Sequence, residues 1–291
     1  MGQLNPTRAI ATMLVATTVI VIGDTAAKLL ISQGQSAVFV AWMRFAIAAV
    51  LLLPFSGLRW SELRLLSDWR IWLRAALIVG AISAILTALK TEPLANAFGG
   101  FFIGPILAYF LSALVLKERI SLARTLLLSF SFVGVLLVVR PGYGMSSGLA
   151  FAVLSGLFHG SFLMMTKLLS NQYRPRFLLI SQLVIGAILL SPVGLANVPV
   201  IGMDATILIL ISALASAAGN YAILRVNRTT PASLVAPMVY FQLPAAAAIG
   251  WFVFADWPDF VSFAGLLMIV TAGFSSFWFA GREKPRPIVR A

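Results

Sequence analysis

Long apolar stretches dominate the chain, and short polar segments separate each stretch from the next. An α-helix needs roughly 20 mainly apolar residues to cross the hydrocarbon core of a bilayer. Stretches of about this length can be delimited at residues 9–31, 37–55, 71–89, 94–116, 124–140, 147–169, 176–194, 204–224, 232–254 and 261–280. The pattern therefore predicts an all-α membrane protein with ten transmembrane helices joined by short loops.

The second half of the chain repeats features of the first half at an offset of 138 or 139 residues. The matched positions are Lys28 with Lys167, Pro93 with Pro231, Gly99 with Pro237, Pro105 with Pro244, and Glu118 with Asp256. Each half holds five stretches, and because five is odd, the second half must enter the membrane from the opposite side. Inverted repeats of this kind build many secondary transporters. We predict five-helix repeats at 1–141 and 146–281, followed by a basic cytoplasmic tail at 282–291.

Charge is scarce in the chain, and its distribution predicts the orientation. Charged residues make up 10% of the sequence, against about 25% in soluble domains. With a cytoplasmic N-terminus, most of the 21 basic residues fall on the cytoplasmic side, namely Arg8, Arg59, Arg64, Arg70, Arg74, Lys117, Arg119, Arg124, Arg174, Arg176, Arg225, Arg228, Arg282, Lys284, Arg286 and Arg290. This asymmetry follows the positive-inside rule, so we expect both termini in the cytoplasm. It also accounts for the net charge of +12 without nucleic-acid binding.

Helix-breaking residues interrupt the fourth and ninth stretches at corresponding places. The fourth contains Gly99, Gly100 and Pro105, and the ninth contains Pro237 and Pro244. Proline kinks a helix, and the freed carbonyl groups need partners or a wet cavity at membrane depth. Matching interruptions in two repeats indicate a substrate site, so we predict that these residues form gates or kinks along the transport path. The alternative is close helix packing, because Gly100–Gly104 and Gly156–Gly160 also fit the small-xxx-small pattern.

Ionisable residues inside the stretches are candidates for substrate binding or coupling, because charges at membrane depth are costly. Asp24 and Lys28 are four residues apart, so they share a helix face and can form either a structural pair or a proton-coupling pair. Arg44 can pair with Asp24 or bind a substrate carboxylate. His159, the single histidine, is either a packing residue or a group facing a cavity.

Aromatic and amide side chains near the breaks complete the predicted site. Together with Arg44 and His159, the candidate substrate-binding residues are Asn96, Phe98, Phe101, Gln182, Tyr240 and Gln242. A pocket with aromatic and amide walls suits a small amphipathic molecule.

Several of these residues carry a resemblance to a known family. The motif runs Pro93-Leu94-Ala95-Asn96, Pro105, Lys117-Glu118-Arg119 and Gly134, with an echo at Pro231-Ala232-Ser233, Pro244, Asp256 and Gly273. The whole chain resembles the drug/metabolite transporter superfamily, in the ten-helix branch built from two EamA-type repeats, and is similar to bacterial aromatic amino acid exporters. The first helix departs from the family, with Ile22-Gly23 where Trp-Gly is common, and Asp256 replaces the usual Glu.

The resemblance implies a multi-pass protein of the bacterial inner membrane that exports small amphipathic metabolites, chiefly amino acids, by alternating access. Relatives that move riboflavin, S-adenosylmethionine or lipid-linked sugars make another metabolite the alternative. We expect no enzyme activity, cofactor or metal site, because no His-Glu-x-x-His, Gly-x-Ser-x-Gly or carboxylate cluster occurs in the sequence. We also expect a monomer surrounded by lipid, since two fused repeats provide in one chain what two half-length chains provide as a dimer.

Overall fold

Helices form the regular structure of the described chain, with no strand among the residues that the structure describes. The computed structural model describes residues 6–116, 122–140, 145–170, 172–196, 198–199, 202–229 and 239–282. Its helices are α1 Pro6–Ser32, α2 Ala37–Leu52, α3 Trp60–Leu63, α4 Trp69–Ala88, α5 Leu94–Phe101, α6 Ile103–Leu116, α7 Leu122–Val139, α8 Ser147–Ser170, α9 Pro175–Ala196, α10 Met203–Thr229, α11 Gln242–Phe254 and α12 Phe260–Arg282. Short 3₁₀ helices lie at Arg64–Ser67 and Val239–Phe241.

These helices occupy the positions of the predicted apolar stretches. Six spans within them are long and apolar enough to cross a membrane, at Arg8–Ser32, Trp69–Ala88, Leu94–Val115, Ser147–Ser170, Pro175–Ala196 and Met203–Val226. Four shorter apolar helices, at Ala37–Leu52, Thr125–Val139, Val239–Phe254 and Phe260–Ser275, lie at the other predicted positions. The second stretch, predicted to reach residue 55, ends its helix at Leu52, because Pro54 has no N–H to continue the backbone ladder.

The fourth stretch is divided into two helices, as its glycines and proline predicted. Helix α5 ends at Phe101, Phe102 adopts ψ of 2°, and α6 begins at Ile103. Pro105 and Pro244 are each the third residue of the helix that follows, α6 and α11. These prolines therefore do not kink a helix in its middle, contrary to the sequence prediction. In the first turn of a helix, the N–H that proline lacks would have had no helical partner. Pro237, like Lys117, Glu118, Arg119, Pro231 and residues 283–291, lies outside the described residues.

Glycines at the fourth stretch allow close packing against α8, which is the alternative that the sequence left open. A methyl group added to Gly104 would come within 2.7 Å of the Gly156 carbonyl oxygen. One added to Gly160 would collide with the Gly104 carbonyl oxygen in turn. Gly99 faces Val138 of α7, and Gly100 faces Ala152 of α8. The backbones of α6 and α8 therefore cross in direct contact, as small residues permit in membrane helices.

Corresponding helices of the two halves make equivalent packing contacts with the opposite half. By the repeat offset, α1 corresponds to α8, α2 to α9, α4 to α10, α6 to α11 and α7 to α12. Helix α1 packs along α10 just as α8 packs along α4, and α2 contacts α10 as α9 contacts α4. Two pairs of corresponding helices also pack directly on each other, namely α2 with α9 and α7 with α12. The main contacts of one half thus recur in the other.

A cluster of ion pairs joins the two halves at one end of the bundle, which we call the Glu62 end. Glu62 of α3 accepts two hydrogen bonds from Arg174, at 2.7 and 2.6 Å, and these bonds lower the pKa of its carboxyl. Nearby, Asp68 caps α4 by accepting the Arg70 backbone N–H at 2.9 Å and also accepts the Tyr173 hydroxyl at 2.7 Å. The α2–α4 connection is therefore tied to the α8–α9 connection.

Candidate functional site

A central cavity lies between the two halves in the middle of the bundle. It contains about 840 Å³ of space, including the part open to solvent. Helices α1, α2, α4, α5, α8, α9 and α10 line it, together with the turn before α11. Seven of the predicted site residues lie on its wall: Asp24, Arg44, Phe98, Phe101, His159, Gln182 and Gln242.

Equivalent positions of the two repeats face each other across this cavity. At the offset of 138 or 139 residues, the wall contains both members of the pairs Ile20 and His159, Asp24 and Leu163, Arg44 and Gln182, Ile78 and Ser216, Ile82 and Asn220, and Ile85 and Ile223. In most of these pairs one member is polar and the other apolar. The cavity therefore lies between equivalent helices of the two repeats, but the side chains that the two repeats contribute to it differ in polarity.

Aromatic rings form one wall of the cavity. The Phe101 and His159 ring centres are 4.6 Å apart, and the Phe98 and Phe101 rings meet edge to face at 6.0 Å. Phe162, three residues after His159 on α8, lies 5.9 Å from the histidine ring. The residues on each helix are spaced by three, which places them on one helical face. Such a wall can stack on a planar ligand.

Three polar atoms of residues that line the cavity have no partner among the residues that the structure describes. They are His159 Nδ1, Gln182 Oε1 and Gln242 Oε1. A buried polar atom without a hydrogen bond is costly, and native proteins satisfy most of them with protein groups or water. Their residues line the cavity, so a bound molecule or a water that reaches these buried atoms would satisfy them.

Arg44 and Asp24, which also line the cavity, form a buried ion pair. Arg44 Nη1 donates to Asp24 Oδ1 at 2.6 Å, and Nη2 donates to the Ser216 hydroxyl at 2.5 Å. Both charged side chains are less than a tenth exposed. Of the two partners that the sequence left open for Asp24, the structure shows Arg44 and not Lys28, because α2 brings a guanidinium directly against Asp24. Arg44 is also held by α1 and α10, which restricts its predicted role as a carboxylate ligand.

Lys28 instead closes the end of the bundle opposite the Glu62 end, which we call the Lys28 end. Its ammonium donates to Asp256 at 3.0 Å and to the Glu92 carbonyl oxygen at 2.9 Å, and lies 4.6 Å from the centre of the Phe254 ring. Lys28 lies one helical turn beyond Asp24, so its long side chain reaches the loops that precede α5 and follow α11. Ser146 hydrogen-bonds to the Glu92 carboxylate beside it.

The remaining predicted residues lie away from the cavity wall. Tyr240 is buried and stacks on Phe102, with ring centres 4.9 Å apart and planes inclined by 18°. These two residues are separated by the repeat offset, so equivalent positions at the two helix breaks touch each other. Asn96, Pro105 and Pro244 do not line the cavity, and neither do Gly99 and Gly100, which pack against Val138 of α7 and Ala152 of α8.

Sequence reasoning missed several residues of the wall. Thr166, Phe162 and Ser216 line the cavity without having been predicted as site residues. Ser216 and Asn220 are four apart on α10, and this helical spacing of polar residues within an apolar stretch was the available signal. Arg74 was assigned to the cytoplasmic surface from its place near a helix end. The structure buries it completely within the bundle.

Curated relatives of similar length support the same kind of protein. The chain is 27% identical over 262 residues to a protein of Vibrio cholerae named "Riboflavin transporter", covering 85% of each chain. It is 26% identical to a protein of that name from Rhizobium johnstonii, over 80% of this chain and 78% of the relative. A third so named, from Brucella anthropi, is 27% identical over 82% and 87% of the two chains.

The fold and the family agree with the resemblance noted in the sequence. A solved crystal structure, 16% identical in sequence, matches with a TM-score of 0.68 and covers 94% of this chain and 98% of its own, which shows a shared fold. The family described as "EamA-like transporter family" matches twice, at residues 7–140 and 146–278. These two segments together include nearly the whole sequence, and the chain belongs to the EamA-like transporter family.

Proposed function

We propose that this protein is a secondary transporter of a small planar heteroaromatic metabolite, with riboflavin as the leading substrate. The observation that carries the proposal is the lining of the central cavity, which combines the rings of Phe98, Phe101 and His159 with the unpartnered amide oxygens of Gln182 and Gln242. Rings stack on a planar ligand, while amide groups pair with an edge that carries both donors and acceptors.

Riboflavin has the features that this wall would recognise. Its isoalloxazine ring is flat and largely apolar on both faces, and its pyrimidine edge presents two carbonyl groups and one N–H. A glutamine amide can both donate to such an edge and accept from it. The names of the relatives from Vibrio cholerae and Rhizobium johnstonii support the same substrate.

A neutral amino acid, the substrate class first expected from the sequence, is the second candidate. The observation that favours it is the Asp24–Arg44 pair on the cavity wall. A zwitterion carries one ammonium and one carboxylate group, so its ammonium can pair with Asp24 and its carboxylate with Arg44. An aromatic amino acid would also place a ring against Phe101.

Transport by alternating access follows from the repeat architecture. Two family segments, the exchanged helix contacts and an odd number of stretches in each half support two inverted repeats with ten spans. The ties of Lys28 to Asp256 and Glu92 close one end, while the lining residues of α8 and α10 lie from mid-helix toward the Glu62 end. In the orientation that the basic residues favour, the Lys28 end faces away from the cytoplasm. The structure is then a state of the transporter in which the cavity is closed toward the outer side of the bacterial inner membrane.

Counterflow in proteoliposomes tests the substrate. Vesicles loaded with unlabelled riboflavin are expected to accumulate labelled riboflavin, because a carrier exchanges a substrate that fits its cavity. Gln182→Leu and Gln242→Leu are each expected to reduce this uptake about tenfold, since each removes one good hydrogen bond to the ring edge. The measurement is the initial rate of uptake at equal amounts of folded protein.

A control and a competing outcome make the substrate test decisive. Gln33→Leu makes the same chemical change at an exposed position just after the end of α1, away from the cavity, and should leave the rate unchanged. Exchange of labelled phenylalanine with no exchange of riboflavin would overturn the flavin assignment in favour of the amino acid.

Single-cysteine labelling tests the topology, and the natural chain has no cysteine to remove. Ser36 and Gly202 are exposed at the Lys28 end, whereas Ser61 and Gln172 are exposed at the Glu62 end. In intact cells, a membrane-impermeant maleimide is expected to label Ser36→Cys and Gly202→Cys, because both lie outside in the proposed orientation. Ser61→Cys and Gln172→Cys should react only after permeabilisation. Labelling of Ser36→Cys and Ser61→Cys from the same side would contradict the proposal.

A further inference from the structure

Arg74 of α4 is a buried cation that the proposed transport mechanism leaves unexplained. Its side chain is 0% exposed, and it is the bulkiest of the fully buried side chains that the structure describes. Burying a guanidinium is costly unless an anion or a full set of acceptors surrounds it. An ionisable residue at membrane depth is for this reason a candidate functional residue.

The contacts of Arg74 leave part of its guanidinium unsatisfied. Nε donates to the Thr166 hydroxyl at 2.9 Å, and Nη1 donates to the Leu178 carbonyl oxygen at 2.9 Å. The guanidinium carbon lies 4.6 Å from the centre of the Phe162 ring. Nη2 has no partner, and no carboxylate forms an ion pair with Arg74, among the side chains that the structure describes.

Two of the neighbours of Arg74 are themselves part of the cavity wall. Thr166 and Phe162 line the central cavity, so the guanidinium lies directly behind one layer of side chains. The oxygen of Thr166 accepts from Arg74, and its own hydroxyl proton remains available for another acceptor. Arg74 does not line the cavity itself. It positions the Thr166 hydroxyl, which lines the cavity and can donate a hydrogen bond to a ligand there.

The balance of charge around the cavity leaves one positive charge uncompensated. Asp24 and Arg44 cancel each other as a pair, and among the described side chains Arg74 is the remaining permanent charge in contact with the wall. In a site of low dielectric, such a charge attracts an anion much more strongly than it would in water.

We propose that the Thr166 corner of the cavity is an anion subsite, in which Arg74 and the Thr166 hydroxyl receive a carboxylate or phosphate group of the transported molecule. This inference rests on the proposed transport function and extends its substrate class to planar aromatic molecules that carry an acidic group, whereas neutral riboflavin would bind without filling the subsite. The ring then lies against Phe101 and His159, and the acidic group lies toward Arg74.

A purely structural role for Arg74 predicts a different behaviour. In that case the residue only ties α4 to α8 and α9, and its replacement changes the amount of folded protein without changing which ligands bind. Selectivity between an acid and its neutral analogue separates the two roles.

Binding of matched acid and neutral ligands to the purified full-length protein provides the test. The probes are riboflavin 5′-phosphate with riboflavin, and indole-3-acetate with indole-3-acetamide. The wild type is expected to bind the acid of each pair at least about tenfold more tightly than its neutral partner. Arg74→Gln should abolish this preference by weakening the acid alone, and Arg74→Lys should retain part of it. Arg8→Gln, which removes an exposed charge at the end of α1, should retain it fully.

The outcomes separate failure of this inference from failure of the flavin assignment. No acid preference in the wild type, or equal weakening of both ligands in Arg74→Gln, would overturn the anion subsite. Preference for indole-3-acetate without binding of either flavin would reject the flavin assignment and keep the subsite. If Arg74→Gln does not fold, Thr166→Val retains the cation and removes the hydroxyl. Its acid preference should fall, and an unchanged preference would count against the proposal.

Discussion

Replacing Asp24 with asparagine is expected to lower the free energy of unfolding by about 3–5 kcal/mol, because it leaves the buried Arg44 guanidinium without its counter-charge. The pair is joined at 2.6 Å, and both side chains are nearly inaccessible to solvent. The remaining partner of the Arg44 Nη2 atom, the Ser216 hydroxyl, is neutral and cannot replace the carboxylate. The measurement is denaturation of the purified protein in increasing SDS, followed by circular dichroism.

Two further variants identify the cause of this loss. Asp204→Asn removes a carboxylate that is exposed in the first turn of α10, and its effect should stay within about 0.5 kcal/mol. Asp24→Asn combined with Arg44→Gln should recover much of the stability, since neither charge is then left alone. A stable Asp24→Asn protein that exchanges substrate but no longer follows an imposed pH gradient would instead show that Asp24 carries a coupling proton.

Replacing Gly156 with alanine is expected to destabilise the protein by about 1–3 kcal/mol through overpacking. The added methyl group would collide with the Phe101 carbonyl oxygen and come within 2.6 Å of Ile103 Cγ2. A backbone carbonyl at a helix end cannot move aside as a flexible side chain can. The contact between α8 and the junction of α5 with α6 must therefore open, and substrate exchange should fall together with stability.

Gly250→Ala is the matched control, because Gly250 is also a glycine within an apolar helix. The nearest atom to an added methyl group there is 3.6 Å away, which is an ordinary contact. This change is expected to leave stability equal or higher by about 0.5–1 kcal/mol, as alanine favours a helix over glycine. Equal stability of Gly156→Ala and wild type would show that α6 and α8 do not depend on their close approach.

The polar residues of the cavity were largely predictable, because a polar side chain within an apolar stretch needs a reason to be there. Arg44, His159 and Gln182 were identified this way and do line the cavity. The partners of the charges were not predictable to the same degree. Spacing along one helix suggested Asp24 with Lys28, whereas the packing of α2 and of the loop after α11 assigned each a different partner.

The helix breaks show the same difference between what the sequence indicated and what the packing of the helices decided. Glycine and proline marked where the fourth stretch would be interrupted, and the chain does break at Phe102. The sequence did not reveal that Tyr240 would stack on Phe102 and so leave the cavity wall. Nor did it reveal that Arg74, near the start of α4, would be covered by α8 and α9.

The sequence alone determined the helical class, the positions of the apolar stretches and the repeat, because hydrophobicity and residue spacing are local properties of a chain. It also marked most of the polar residues around the cavity. Only the tertiary structure decided which of these residues meet, since ion pairs such as Lys28 with Asp256 join positions more than 200 residues apart. It likewise decided that Arg74 stands behind the cavity with its charge uncompensated among the described side chains, because burial depends on every helix that packs around a residue.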